Sequence, residues 1–500
     1  MADQLFIGID SGTQGTKVVV VSEQKRKIIA EGYAAHRLTE GPYGKREQEP
    51  QWWIDACIQA LSTALKTNGV NTREVKSIGV SGQQHGMVPL DSQGNVIRAA
   101  KLWCDTETMP QCDRLTEELG GLDRVIGLIG NAVAAGFTAS KIVWFKENEP
   151  DKYERLATVL LPHDYINYWL TGERKTEFGD ASGTAYFDIR KRTWSQEVLK
   201  AIDESGKLAS CMPEIIQAHE AIGHVRQELV KEFGLNDDVL VSAGGGDNMM
   251  AAIGTGNVVP GIVTASLGTS GTIYCVADSP VVDSQGELAA FCSSTGSWLP
   301  LVCTMNVTVA TELTRSLFGV TLEQLNQEIE SVQAGARGLI LLPYFNGERT
   351  PPLPQARATL YGMDNTNYTR ANICRAAMEG ATFGLKYGLD VLERNGIVPE
   401  EIRLVGGGAK SPIWRQLVSD IFNCPVVCPT STEAGALGAA VQAIWCHRST
   451  NQIASLKEIS DNFIELDRKS FISPRKYEAM VYKDIYQTYT KLNTALKTVY

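Results

Sequence analysis

The chain has 500 residues, 43% of them apolar and 21% charged, and a net charge of −10. That length exceeds one compact core, so two domains are expected. The acidic balance argues against a nucleic-acid or anionic-membrane partner, while leaving room for a locally basic pocket that takes an anionic substrate. No basic, apolar leader precedes the first strand, and no apolar run reaches the roughly 20 residues of a membrane span, so a cytoplasmic location is expected. The eleven cysteines are scattered without a CxxC pair, as reduced thiols would be. Cys424 and Cys428 bracket a predicted strand and suit core packing better than zinc.

In chain order, "QLFIGID", "TKVVVVS" and "KIIAEGYA" read as three strands joined by the turns "SGTQG" and "EQKR". Trp53, Cys57, Leu61 and Leu65 then recur every four residues between Pro50 and Gly69, which predicts a helix. "VKSIGVS" predicts a strand with "GQQHGM" as its exit loop. This βββαβ order is that of a layered α/β domain, whose ligands sit at the carboxyl ends of strands. Loops 10–16, 81–87 and 244–248 are therefore the candidate site loops. Helices are expected in "AGFTASKIVWFKENEP", ending near Pro150, and in "LPHDYINYWLTG", stopping at Gly172; "FGDASGTAYFDIRKRTW" reads as loop and strand. The chain is expected to cross between halves within 246–262, with domains at 1–250 and 251–500.

Two stretches echo one another. "IGIDSGTQGTKVVV" (7–20) and "TASLGTSGTIYCV" (264–276) each read as strand, glycine–hydroxyl turn, strand, which suggests a duplicated domain. Such a turn converges backbone N–H groups on an anion, and glycine lets a phosphate approach. One such hairpin is just a tight turn; two in equivalent places favour a polyphosphate held from both sides. Asp10 opens the first turn, and a carboxylate beside phosphates calls for a bridging cation. Asp10 is therefore the candidate for positioning Mg²⁺, with Lys17 as a candidate phosphate contact or a solvated strand-end charge.

Residues 402–428, "IRLVGGGAKSPIWRQLVSDIFNCPVVC", predict strand, glycine-rich turn, helix and strand. Gly406–Gly408 would let a flat or anionic group lie against the backbone, though no Walker Lys-Ser/Thr follows. "STEAGALGAAVQA" (431–443) predicts a small-residue helix able to pack beside that turn. "GERTPPLPQARATLYGM" (347–363) cannot be a helix. The tail spaces Val481, Ile485, Tyr489, Leu492 and Leu496 as a packing helix does. In "VSAGGGDNMMAAIG" three glycines precede Asp247 and Asn248. Asp247 reads either as the cap of the helix that follows or as a general base on a backbone bare enough for substrate. His85 reads as a core histidine or as a cleft residue between glycines.

Taken together and in this order, "IGIDSGTQGTK", "GVSGQQHGMV", "KLWCDT", "GGGDN", "SLGTSGT", "GERTPP" and "LVGGGAKSPIWRQLVSDIFN" resemble the FGGY carbohydrate kinases, over about residues 5 to 450. The resemblance implies an α/β fold of two actin-like (ribonuclease H-like) domains of the hexokinase–actin–chaperone ATPase superfamily, with a cleft between them. It implies an N-terminal domain for sugar and phosphate, a C-terminal nucleotide domain, ATP and Mg²⁺ as cofactors, a small sugar substrate and no nucleic-acid or membrane partner; a homodimer is compatible with it. Carried over, Asp10 is the metal residue, and Gly12 and Thr13 meet phosphates, as do Gly268, Thr269 and Ser270. The adenosine motif falls on Gly407, Gly408, Ala409 and Asn423. The sugar is held by Gln84, His85, Trp103, Asp247 and Asn248, with Asp247 as the catalytic base. The likeness runs to members that phosphorylate the 5-hydroxyl of D-xylulose; ribulose or glycerol is the alternative, and a non-catalytic nucleotide switch the rival of another class. One departure is Gln84, where many bacterial members acting on xylulose carry methionine.

Overall fold

A computed structural model describes residues 3–499. The chain forms two compact units. The first comprises Met1–Val258, Ala277–Leu299 and Glu433–Ile464; the second comprises Val259–Val276, Pro300–Thr432 and Glu465–Tyr500. The first crossing falls within 246–262, but the units differ from a division at 250/251 because two later segments return to the first. The longer of them carries the helix Ala434–Arg448, whose apolar and small residues leave no solvated face. It is buried almost all round, as such a composition requires.

Each unit is built on the same sheet. In the first, the strands run Lys27–Ala35, Gly15–Ser22, Leu5–Ser11, Val75–Gly82, Leu240–Ser242, Ala221–His224. Leu5–Ser11 is antiparallel to Gly15–Ser22 and parallel to Val75–Gly82, and the last pair is antiparallel. In the second unit, Trp298–Thr304, Gly271–Cys275, Ile262–Ser266, Glu401–Val405, Val426–Pro429 and Leu466–Ile472 follow in the same spatial order. The senses repeat too: Ile262–Ser266 is antiparallel to Gly271–Cys275 and parallel to Glu401–Val405, with an antiparallel last pair. The duplication suggested by the two hairpins thus extends to whole sheets.

Period-two alternation decides which face each strand residue takes. Ile7, Ile9, Val18 and Val20 share a buried cluster with Trp53, Cys57 and Leu61 of the helix Pro50–Leu65; each such aliphatic side chain contributes about 1.5–3 kcal/mol by leaving water. On the opposite face, Gly8 and Gly79 lie side by side across the parallel pair. There the helix Ala434–Arg448 comes so close that a Cβ on Gly8 would lie 1.8 Å from the Ala436 carbonyl oxygen, and one on Gly79 2.1 Å from that of Ala439. The same helix crosses Asp247–Gly254, where a Cβ on Gly438 would meet the Met250 carbonyl at 1.8 Å. The small-residue helix therefore packs on the first sheet and on the Asp247 helix, whose glycines admit its backbone.

The predicted helices stand at Thr138–Asn148 and Pro162–Thr171, the latter ending on a left-handed Gly172. "FGDASGTAYFDIRKRTW" departs from expectation by opening with a short helix, Phe178–Ala181, which the Glu177 side chain caps. In the second unit, residues 347–353 are pinned by buried Glu348, which accepts from Met305 N at 2.7 Å and Asn306 Nδ2 at 3.1 Å. The tail is the helix Lys476–Leu496, and it buries Tyr482, Tyr489 and Asn493. All eleven cysteines are free thiols.

Candidate active site

The three loops singled out in the first half meet. Gln83 N donates to Ser11 O at 3.0 Å. Gly245 and Gly246 pair in parallel with Ser81 and Gly82. Asn248 Nδ2 donates to Gln84 Oε1 at 2.8 Å. The site therefore stands at the carboxyl ends of the strands Leu5–Ser11 and Val75–Gly82, where such sheets gather their loops.

Two carboxylates dominate it. Asp10 accepts a 2.6 Å bond from Ser81 Oγ. Burial raises its proton affinity, the Ser81 bond opposes that rise, Glu433 adds to it and Lys17 opposes it. Asp247 is pushed up to about 7, chiefly by burial and next by the charge of Asp10. Its Oδ1 takes both Asn248 N at 2.7 Å and Asn248 Nδ2 at 2.9 Å. Asp247 is the first residue of its helix and Gly246 occupies the cap position, making no side-chain bond. The capping alternative for Asp247 is therefore set aside, although a carboxylate in the first turn still faces the positive end of the helix dipole.

The glycines before Asp247 serve a purpose other than the expected bare path for substrate. A Cβ on Gly244 would lie 2.7 Å from Val80 O, one on Gly245 2.3 Å from Ser294 Oγ, and one on Gly246 2.5 Å from Gln84 Cγ. They admit protein, and Gly246 in particular admits the buried Gln84. Gly12 is the open one, with nothing nearer to its missing Cβ than Gly15 O at 3.9 Å. Lys17 is also reassigned: its Nζ lies 2.6 Å from Glu433 Oε1, so its charge is already matched.

His85 has φ 64°, a left-handed conformation uncommon outside glycine. Its ring sits between those of Phe137 and Phe291, with centroids at 4.6 and 5.5 Å, and Thr138 Oγ1 donates to its carbonyl at 3.1 Å. Such enforced backbone strain concentrates at functional sites. Trp103 is 40% exposed, and its Nε1 donates to Thr13 Oγ1 at 3.1 Å, tying an aromatic wall to the first hairpin turn. Sequence reading missed Ser81, Phe137 and Phe291. Their contact with the site depends on strand register and on distant segments, and only the hydroxyl beside the "GQQHG" loop carried a local signal.

The remaining site candidates belong to the second unit. Thr269 and Ser270 are exposed at the tip of its hairpin, while Gly268 is half-buried. Gly268 O and Thr269 O accept from Thr308 N at 2.9 Å and Val307 N at 3.0 Å, fixing the turn. In the glycine-rich turn, the missing side chains of Gly406 and Gly408 abut Leu267, whereas Gly407 has nothing within 4 Å and offers the bare backbone. Ala409 is buried. Asn423 ends the helix Pro412–Phe422 in the left-handed conformation, φ 50°.

For a cation, Asp10 and Asp247 offer hard oxygen donors whose proton affinity is raised by burial, with Glu433 adding to the rise at Asp10 and Asp10 to that at Asp247, a setting that a divalent ion relieves. A second acidic group, Glu47, Asp105 and Glu107, surrounds the fully buried Lys101, whose Nζ lies 3.3, 3.1 and 2.5 Å from the three, and Glu47 also pairs with Arg98 at 2.6 Å and Lys45 at 3.3 Å. Among the described residues no helix is long and apolar enough to cross a membrane.

Comparison with known proteins agrees with this geometry. Residues 5–254 match the N-terminal domain, and 263–447 the C-terminal domain, of the FGGY family of carbohydrate kinases. A xylulose kinase of Haemophilus influenzae is 47% identical over 489 residues, covering 97% of this chain and 98% of its own. One of Bacillus subtilis is 35% identical, covering 98% of each. The crystal structure of a xyloylose kinase from Brucella ovis superposes with a TM-score of 0.92 at 30% identity, over 99% of this chain and 100% of that one. With twin hairpin sheets, a carboxylate pair at the loop ends and matches along both halves, the chain belongs to the FGGY family of carbohydrate kinases and is a phosphotransferase.

Proposed function

We propose that the enzyme transfers the γ-phosphoryl group of ATP to the 5-hydroxyl of D-xylulose, giving D-xylulose 5-phosphate and ADP. The observation that carries this is the state of Asp247: Oδ1 is occupied by Asn248, while Oδ2 has no protein donor among the described residues. A sugar hydroxyl must lose its proton as it attacks, and phosphoryl transfer otherwise asks mainly for positioning and charge stabilisation. A carboxylate with its proton affinity raised towards neutrality accepts that proton more readily than an ordinary one. The likeness to xylulose kinases supports the choice of sugar.

In this reading Asn248 Oδ1 accepts from a neighbouring sugar hydroxyl, and Gln84, His85 and Trp103 line the sugar. Gly12 and Thr13 in the first unit, and Gly268, Thr269 and Ser270 in the second, serve the phosphates. Gly407, Gly408 and Ala409 bring bare backbone to the adenosine, and Asn423 supports that turn from the end of the following helix. Asp10 would hold Mg²⁺, which when bound offsets the phosphate charge. A reducing, cytoplasmic setting suits the free thiols.

The test is a panel of D-xylulose, D-ribulose, gluconate and glycerol with coupled ADP detection. D-xylulose is expected to give the highest kcat/KM. A preference for another acceptor would move the assignment to that sugar, and ATP turnover indifferent to any acceptor would favour a nucleotide switch.

A further inference from the structure

Beneath the sugar residues lies a buried polar chain that the proposed mechanism does not use. Asp180 and His163 are both fully buried. Glu177 caps the short helix that carries Asp180, accepting from Gly179 N and Asp180 N at 2.7 Å each. The Asp180 carboxyl is fixed on one side by His163, whose Nδ1 lies 2.7 Å from Oδ2. The other ring nitrogen, Nε2, lies 3.0 Å from Asp164 Oδ1, and Asp164 in turn accepts from Leu161 N at 3.0 Å. On its other side Asp180 faces Gln84. Asp180 Oδ1 and Gln84 Nε2 are both buried and neither has a hydrogen-bond partner among the described residues, so an unpaired acceptor and an unpaired donor stand on neighbouring side chains.

From Gln84 the chain continues to the reacting end. Gln84 Oε1 accepts from Asn248 Nδ2, which also donates to Asp247 Oδ1. Both ends are carboxyl groups, and two amides stand between them. An amide nitrogen only donates and its oxygen only accepts, so only one orientation of Gln84 suits both of its neighbours. The Gln84 N–H side is the one left to Asp180, the Gln84 oxygen takes the Asn248 N–H, and Asn248 gives its second N–H to Asp247. Reversing Gln84 would set oxygen against oxygen at Asp180 and N–H against N–H at Asn248. Burial drives Asp180 well above the usual carboxylate range. His163 meets the carboxyl at Oδ2, which leaves Oδ1 as the unpaired oxygen.

We propose that Asp180 is a positioning residue: through Gln84 it sets the direction of the hydrogen bonds at Asn248 and Asp247, so that the site presents the Asn248 oxygen and the free Asp247 oxygen to two sugar hydroxyls. The proposal rests on Asp247 being the base. Gly246 belongs to the same device, since it gives Gln84 the room to enter the chain.

Three shape-conserving variants test it, assayed as full-length enzyme with the acceptor preferred by the wild type. Gln84→Glu places an acceptor where Asp180 needs a donor, and is expected to lower kcat roughly 10²-fold, the cost of a misplaced reacting group, with the KM for ATP unchanged. Asp180→Asn alone turns its oxygen to Gln84 and its amide to a neutral His163, costing a few-fold. In Gln84→Glu/Asp180→Asn the asparagine amide can donate to the introduced carboxylate, so kcat is expected to recover at least roughly tenfold over Gln84→Glu alone. Near-wild-type turnover of Gln84→Glu, or a double variant no better than it, would overturn the proposal, because a merely structural role gives no rescue. Asp247→Ala separates the readings: if it stays active the base assignment fails, and if it is dead while no rescue appears, the relay alone fails.

Discussion

The two hairpins share a backbone and differ in chemistry. Each is a strand, a Gly-Thr turn and an antiparallel return, with a parallel strand on the far side. In the first, the strand carries Asp10 just before its end, hydrogen-bonded to Ser81 and raised in proton affinity. In the second, the matching residue is Ser266, and the turn exposes only hydroxyls and amides at Thr269 and Ser270. A neutral turn can hold phosphate by itself through oriented N–H groups. A turn bearing a carboxylate repels phosphate unless a cation intervenes. On the proposed function, the same duplicated scaffold would supply a plain anion grip in one unit and, in the other, a charged site suited to a metal and the chemistry.

The sharpest way to break that contrast is at Asp247. Asp247→Asn is expected to lower kcat by about 10²–10⁴-fold, the usual share of a general base. It should also raise the thermal midpoint by a few degrees at about pH 8, because the wild type keeps a largely desolvated charge there. The sign follows from the shift: the folded carboxyl titrates at about 7 against an ordinary 3.8. The folded state therefore binds more protons across that interval, and its stability falls as pH rises through it. The stability gain of the variant should accordingly be full above about pH 7 and fade as pH falls towards 4; a gain that grew in acid would contradict the assignment. Next in size, Ser266→Asp gives the second hairpin the charge of the first. ATP affinity, read by titration, should fall about tenfold or more at fixed magnesium through like-charge repulsion. An unchanged affinity would mean that this turn does not face phosphate. The smallest effect belongs to Trp103→Phe, which keeps the aromatic wall but removes the Nε1 donor to Thr13. A loss of roughly two- to tenfold in kcat/KM is expected, the worth of one partly exposed hydrogen bond.

Much of this was legible along the chain because it is local. A glycine–hydroxyl turn between β-branched runs specifies a hairpin, and Trp53, Cys57, Leu61 and Leu65 at fourfold spacing specify the helix that covers the sheet; all four are buried. The site carboxylates could be singled out because Asp10 and Asp247 follow apolar runs at strand ends. What misled the reading was packing between distant segments. The glycines at 244–246 look like a cleared path for ligand, yet their neighbours are Val80, Ser294 and Gln84. Lys17 looks like a phosphate contact until Glu433, brought back by the last segment of the first unit, meets it. Asp180 sat unnoticed in a stretch of small residues, because its partners His163 and Gln84 reach it only through the fold.

Local backbone preference and the alternation of apolar residues were sufficient to dictate strands, turns, helices and the repeat of the hairpin. Which polar atoms ended up with partners was decided in three dimensions. Burial raises the proton affinity of a carboxyl, directs an amide or matches a lysine only through the atoms that surround it, and those atoms come from segments hundreds of residues apart.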